Sequence, residues 1–211
     1  MATRAQVAEF RRANQDLTVL AQAQLQDFLS SFRLDGDPVR VRNALLAFFP
    51  ELVTTYGDVS ALLAADFYDM LRDVPPSASV FKAAFAQPVD PGKAEGAARW
   101  AVGALFDEDA PRFTSQILGA TQRLVTQRGR DTMVQNAGRD SVRTAFARIP
   151  SGSDTCKFCL MTASRGAVYK DAVSAGEMND YHDNCDCAVI PVRRRSDFPD
   201  GYDPDSLLDR Y

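Results

Sequence analysis

All four cysteines of this 211-residue chain, and its only histidine, fall between positions 156 and 187. They read Cys156-Lys157-Phe158-Cys159, then 22 residues, then His182-Asp183-Asn184-Cys185-Asp186-Cys187. A C-x2-C knuckle holds two thiolates on one tight turn, and a second ligand pair from a distant turn completes a tetrahedron around zinc. Five donors compete for four positions. The favoured set is Cys156, Cys159, His182 and Cys185, because His-x2-Cys makes a turn that mirrors the first knuckle. Cys187 is the rival to His182. Four protein ligands leave no open coordination position, so the expected zinc is structural and no catalytic residue is assigned. About 45 residues cannot bury enough surface to be stable alone, whereas a structural zinc contributes on the order of 10–16 kcal/mol in small modules. Free buried thiols, a redox pair at Cys156 and Cys159, and disulfides formed on exposure to an oxidant are the competing readings. In a reducing cytosol, cysteines at this spacing favour metal over disulfides.

Upstream, the apolar pattern is helical. Val7, Phe10, Leu17, Leu20, Ala21, Leu25, Phe28, Leu29 and Phe32 lie on one stripe of a long amphipathic helix. Asp35-Gly36-Asp37-Pro38 stops it and opens a second helix, which runs through Val41, Leu45, Leu46 and Phe49 into Pro50. Gly57-Asp58 predicts a second break, with Asp58 capping a further helix through Leu62, Leu63, Phe67, Met70 and Leu71. Val74–Ser77 and Gln87–Gly92 read as loops, and Asp90-Pro91 as a helix start. Pro111 to Phe146 is again helical, with a break or kink expected at Gly129. After Ile149-Pro150-Ser151-Gly152-Ser153-Asp154 the helical period fades, and Gly166–Tyr169 and Cys187–Val192 read as short strands.

The expected fold is therefore mainly α. Residues 1–149 form a multi-helix body, 150–195 a small α+β Cys/His module of the zinc-knuckle kind, and 196–211 an acidic flexible tail or docking arm. No apolar run approaches the roughly 20 residues that span a bilayer, and the polar N-terminus lacks the apolar core of a secretory signal. No membrane partner is expected.

The net charge of −4 gives no global attraction to nucleic acid, but charge is unevenly placed. Seven arginines and no lysine lie between Pro111 and Ile149, against Asp131 and Asp140. Arg123, Arg128, Arg130, Arg139 and Arg143 are the candidate surface for DNA phosphate or an acidic partner, the plain alternative being a solvated helix face. No G-x-S-x-G, H-E-x-x-H, Walker or dinucleotide fingerprint occurs. The histidine follows the C-x2-C and precedes no glutamate, which excludes the zinc-deaminase pattern. No small-molecule substrate is evident. The enzymatic alternative is a hydrolase or transferase using His182 with Asp183 or Asp154, and a further alternative is a zinc-stabilised DNA-binding module.

The run Ile149 to Met161, with Ala163-Ser164-Arg165-Gly166 after it, resembles the MuF-like minor capsid and head morphogenesis proteins of tailed actinobacteriophages, also labelled capsid maturation proteins. So does Tyr181-His182-Asp183-Asn184-Cys185-Asp186-Cys187 with the apolar Ala188–Val192 behind it. Asp154, Cys156, Cys159, His182, Cys185 and Cys187 match the pattern, and Ala44–Gly57 and Ala64–Asp69 are similar to the family's helical region. The resemblance implies a virion protein made in the host cytoplasm and present in few copies near the portal vertex. Its implied partners are the portal, the major capsid protein and packaged DNA, and its implied role is head assembly and DNA packaging or delivery.

Overall fold

Four long helices carry most of the chain, and each begins where an oxygen-bearing side chain caps free backbone amides. The computed structural model describes residues 2–72, 80–142, 144–150, 155–169, 181–185, 187–194 and 198–210. Helix α1 spans Arg4–Ser30 behind a capping box of Thr3 and Gln6. Helix α2 spans Pro38–Leu71, with Asp37 as cap and Pro38 in the first turn. Asp90 caps α3, Pro91–Phe106, as Asp90-Pro91 predicts, and Asp109 caps α4, Ala110–Arg139.

The breaks predicted at Pro50 and Gly57 do not occur, because α2 is one helix through both. Pro50 removes one helical donor, a loss of about 3 kcal/mol. Leu45, Phe49, Leu52 and Val53 are almost wholly buried around it, and a buried Leu or Phe each gives roughly 1.5–3 kcal/mol. Burial outweighs the proline. Gly129 likewise does not break α4. A Cβ there would lie 2.7 Å from the Ser60 carbonyl oxygen, so the glycine lets α2 and α4 cross closely.

Two main cores form along these helices, beside a small cluster of Leu17, Ala21 and Val125. In one, Leu25, Leu29, Leu45 and Phe49 pack with Ala98, Val102, Phe113 and Ile117. The other joins Phe67, Tyr68, Met133 and Val134 to Phe146, Cys159, Tyr181, Cys185, Val189 and Ile190. One core therefore crosses the expected boundary at Pro150. Residues 80–90 are pinned to α4, where Asn136 both accepts from the Ala84 amide at 2.9 Å and donates to the Ala84 carbonyl at 2.8 Å.

Helix α4 ends at Arg139, short of the predicted Phe146. Asp140 takes an extended conformation, bound by both arms of Arg72 at 2.9 and 3.0 Å. The chain then enters β1, Ala145–Ile149, which pairs antiparallel with β2, Ala188–Val192, from Ala145 opposite Val192 to Ile149 opposite Ala188. β2 is the strand predicted over Cys187–Val192. Of the strand predicted at Gly166–Tyr169, only a bridge from Tyr169 to Phe146 forms.

Between the strands lies α5, Lys157–Ser164. The end of the chain, expected as a flexible or docking arm, instead folds back through a short helix α6, Pro204–Leu208. Its apolar residues have a surface to cover: the buried Tyr202 hydroxyl donates to the Ala163 carbonyl at 2.6 Å, and Phe198 packs on the same core. Gly166 permits this approach, with φ of 67° and the Phe198 ring 3.2 Å from where a Cβ would stand. The predicted loop Val74–Ser77, the Ser151–Asp154 linker and Arg143 lie outside the described residues. Among the described residues, no helix is long and apolar enough to cross a membrane.

Candidate metal centre

The two ligand turns are built alike. Cys156 caps α5, its sulfur accepting from the Cys159 amide at 3.4 Å, which places both sulfurs on one side of the first helical turn. His182 and Cys185 are the ends of a second turn, closed by the Cys185 amide donating to the His182 carbonyl at 3.2 Å. Asn184 takes a φ of 62° inside it, a left-handed conformation that asparagine tolerates. The His-x2-Cys turn thus mirrors the Cys-x2-Cys turn.

These turns bring all five predicted donors together, in two triples that share Cys159: Cys156, Cys159 and His182, and Cys159, Cys185 and Cys187. In a tetrahedral zinc site the bond lengths set S···S edges of about 3.8 Å and S···N edges of about 3.5 Å. Cys159 Sγ lies 3.6 Å from Cys185 Sγ and 3.4 Å from His182 Nε2, and Cys156 Sγ lies 3.0 Å from the same nitrogen. Each triple could hold a metal ion, with Cys159 common to both. Cys159, Cys185 and Cys187 are buried, whereas Cys156 and His182 face solvent.

The imidazole is oriented for ligation. Its Nδ1 lies 2.7 Å from the Asp183 carbonyl oxygen, and a proton held there leaves the Nε2 lone pair aimed at the two sulfurs. The Asp183 carboxylate, named for the enzymatic alternative, turns away to Arg123 at 2.6 Å, and Asp154 lies outside the described residues.

Charge within the cluster is shared unequally. Hydrogen bonds from Cys159 and Cys187 hold the Cys185 thiol below its ordinary range, helped by Arg130. Cys159 is pushed up for the converse reason, as donor to both neighbours. A hydrogen bond with Cys159 favours the Cys187 thiolate, but the bond with Cys185 and burial push Cys187 up to about 12. Burial opposes ionisation of Cys156, yet the Cys159 amide and side chain and His182 bring it below the ordinary thiol range. Burial likewise opposes the His182 cation, but the Asp183 carbonyl and the adjacent sulfurs raise it. Such a set gives up protons to a bound cation.

One face of α4 holds the second turn in place. Gly119 admits it, since a Cβ there would stand 3.0 Å from Asp183 Cβ. Arg123 holds Asp183, and Arg130 donates to the Cys185 carbonyl at 2.8 Å, with Gln122 at 3.4 Å. The Arg130 and Arg148 guanidiniums each lie 4.0 Å from the centre of the Tyr181 ring. Arg148 is fully buried and donates to Cys185 Sγ at 3.8 Å.

Of the described arginines expected on an open surface, Arg123, Arg128 and Arg130 have internal partners, whereas Arg139 stays exposed. Arg123 and Arg130 serve the ligand turn, Arg128 pairs with Asp58 and the Ala86 carbonyl, and Arg139 donates to Asn136 at 3.1 Å. Tyr181, Arg148, Gly119 and Gln122 are the supporting residues that sequence reasoning missed. The visible signal was the helical spacing of Gly119, Gln122, Arg123 and Arg130.

The chain is 25% identical to the Gene 15 protein of Mycobacterium phage L5 over 236 residues, covering 87% of this chain and 76% of that protein. It is also 25% identical to the Gene 15 protein of Mycobacterium phage D29 over 189 residues, covering 70% of this chain and 65% of that one. No solved structure matches. The family described as VG15 protein matches residues 1–211, so the chain belongs to the VG15 protein family, with relatives in mycobacteriophages.

Proposed function

We propose that this is a non-catalytic minor head protein whose helices dock on the portal or shell, and whose C-terminal turns are locked by one structural zinc. Cys156, Cys159, His182 and Cys185 hold the ion, and Cys187 is the alternative to His182. The observation that carries the proposal is the meeting of two i, i+3 ligand turns at Cys159, whose sulfur lies 3.4 Å from His182 Nε2 and 3.6 Å from Cys185 Sγ. The zinc supplies a cross-link between the first turn of α5 and the turn that α4 holds. Kinship with mycobacteriophage proteins and the resemblance of the Cys/His pattern to MuF-like proteins support the head role. Because Arg123, Arg128 and Arg130 are engaged internally, the reading does not rest on a DNA-binding face.

Two measurements test it. Elemental analysis of protein purified without a metal-affinity resin should give one zinc per chain, and metal-free protein with undiminished cooperative unfolding would refute the zinc. Quantitative mass spectrometry of purified heads of the encoding phage should find the chain in a few to some tens of copies. Heads lacking it would refute the head role.

A further inference from the structure

The outer face of α3 has the composition of an interface. Its inner face is alanine-rich and buried, with Ala94, Ala98, Ala101, Val102 and Leu105 in the helical core. The outer face presents Trp100 and Phe106, 57% and 55% exposed. Trp100 is the only tryptophan in the chain. It stands between Gly96 and Gly103, and a Cβ at either glycine would meet nothing within 4 Å. Glycine is unfavourable inside a helix, and no contact within this fold calls for it at these two positions. What the glycines do provide is a flat strip on which a second helix can come close beside a large aromatic anchor.

Charge identifies the occupant. Lys93 lies near the start of the exposed face and Glu108 just past its end, and among the described residues neither has an ion-pair partner. We propose that α3 pairs antiparallel with α3 of a second copy of this chain, about a two-fold axis beside Trp100. That register sets Gly96 opposite Gly103 of the second copy and Trp100 beside its own equivalent, and it brings the Lys93 ammonium within side-chain reach of Glu108, just past the Phe106 that it faces. Phe106 then covers Gly92 and the aliphatic stem of Lys93. Arg99, already neutralised by Glu95 at 2.9 Å, falls against Trp100 of the second copy. A parallel pairing would oppose Lys93 to itself, which the antiparallel one avoids. The contact is self-complementary and therefore closes at a dimer.

The sole tryptophan reports directly on this interface. Sedimentation of the full chain over a concentration series should show the mass rising from monomer to dimer, with Trp100 emission moving to the blue in step. Trp100→Glu changes an exposed residue, so helicity by circular dichroism should be kept while the mass stays monomeric. Lys93→Glu, which sets two like-charge pairs in the dimer, should raise the dissociation constant about tenfold. Adding Glu108→Lys should return it to within about threefold of wild type, since the reversed pair restores the attraction. A monomer at every soluble concentration, an assembly growing beyond two copies, a dimer indifferent to Trp100→Glu, or a charge swap that fails to rescue would each overturn the proposal.

Discussion

Replacing Arg130 with methionine separates the metal-supporting role of this arginine from a surface role. Arg130 is only 7% exposed, donates to the Cys185 carbonyl at 2.8 Å and lies 4.0 Å over the Tyr181 ring. A hydrogen bond from a charged donor is worth about 1.5–3 kcal/mol. The charge itself also matters, because the proposed Zn2+ with three thiolates and an imidazole would leave the site net negative. A cation about 6 Å away contributes about 3 kcal/mol at an effective dielectric near 20. Against this, methionine no longer has to be stripped of water, and that refund offsets part of the loss. With that offset about 3 kcal/mol, the remainder is about 1.5–3 kcal/mol, a roughly tenfold to hundredfold weakening of zinc affinity, in line with other outer-shell ligand supports. Competition against a chromogenic chelator at fixed ionic strength measures it. Arg123→Met is the control, since the Arg123–Asp183 pair is about three-tenths exposed on both sides. Its cost should be below about threefold and shrink with salt. Unchanged affinity in Arg130→Met, or an equal loss in Arg123→Met, would refute the assignment of Arg130 to the site.

Two further substitutions test the frame around the site. Burial pushes the Asp140 carboxyl up, but Arg72, the Val142 amide and Tyr68 outweigh it and leave the group below its ordinary range. A depressed folded pKa means the stabilisation is complete above the ordinary carboxylate value near 4 and fades as pH falls through the folded one. Acid unfolding should therefore lose its Asp140 component in Asp140→Asn. That variant should also lose about 3 kcal/mol at neutral pH by stranding the Arg72 guanidinium, whose side chain is 7% exposed. An unchanged acid limb in urea melts at graded pH would contradict this. Tyr202→Phe removes the buried bond to the Ala163 carbonyl and should cost about 1 kcal/mol in the denaturation midpoint with zinc retained. A null effect would mean that the tail does not hold α5.

What could be read in advance follows from where the information resides. The Cys/His cluster was legible because ligation demands particular residue types, and an i, i+3 spacing sets a turn whatever surrounds it. The four long helices were legible because each buries one stripe. Their continuity was not. Pro50, Gly57 and Gly129 are local signals of interruption, and only the neighbour across the crossing shows why Gly129 is there: the Ser60 carbonyl occupies the space of its missing side chain. β1 was hidden for a related reason, because Ala145–Ile149 is too short for periodicity to separate strand from helix, and its partner lies some forty residues on. The arginines are the sharpest case. A count of charges along α4 predicts a basic face, but it cannot tell a guanidinium turned to solvent from one turned to a carbonyl and an aromatic ring. Arg130 and Arg148 both turn inward, on either side of Tyr181, toward the cysteines whose anionic form a metal would require. The ligand cluster and the basic stretch, separate in sequence, are therefore parts of one electrostatic unit, and the thiolate-rich turn gives the burial of those cations a physical reason.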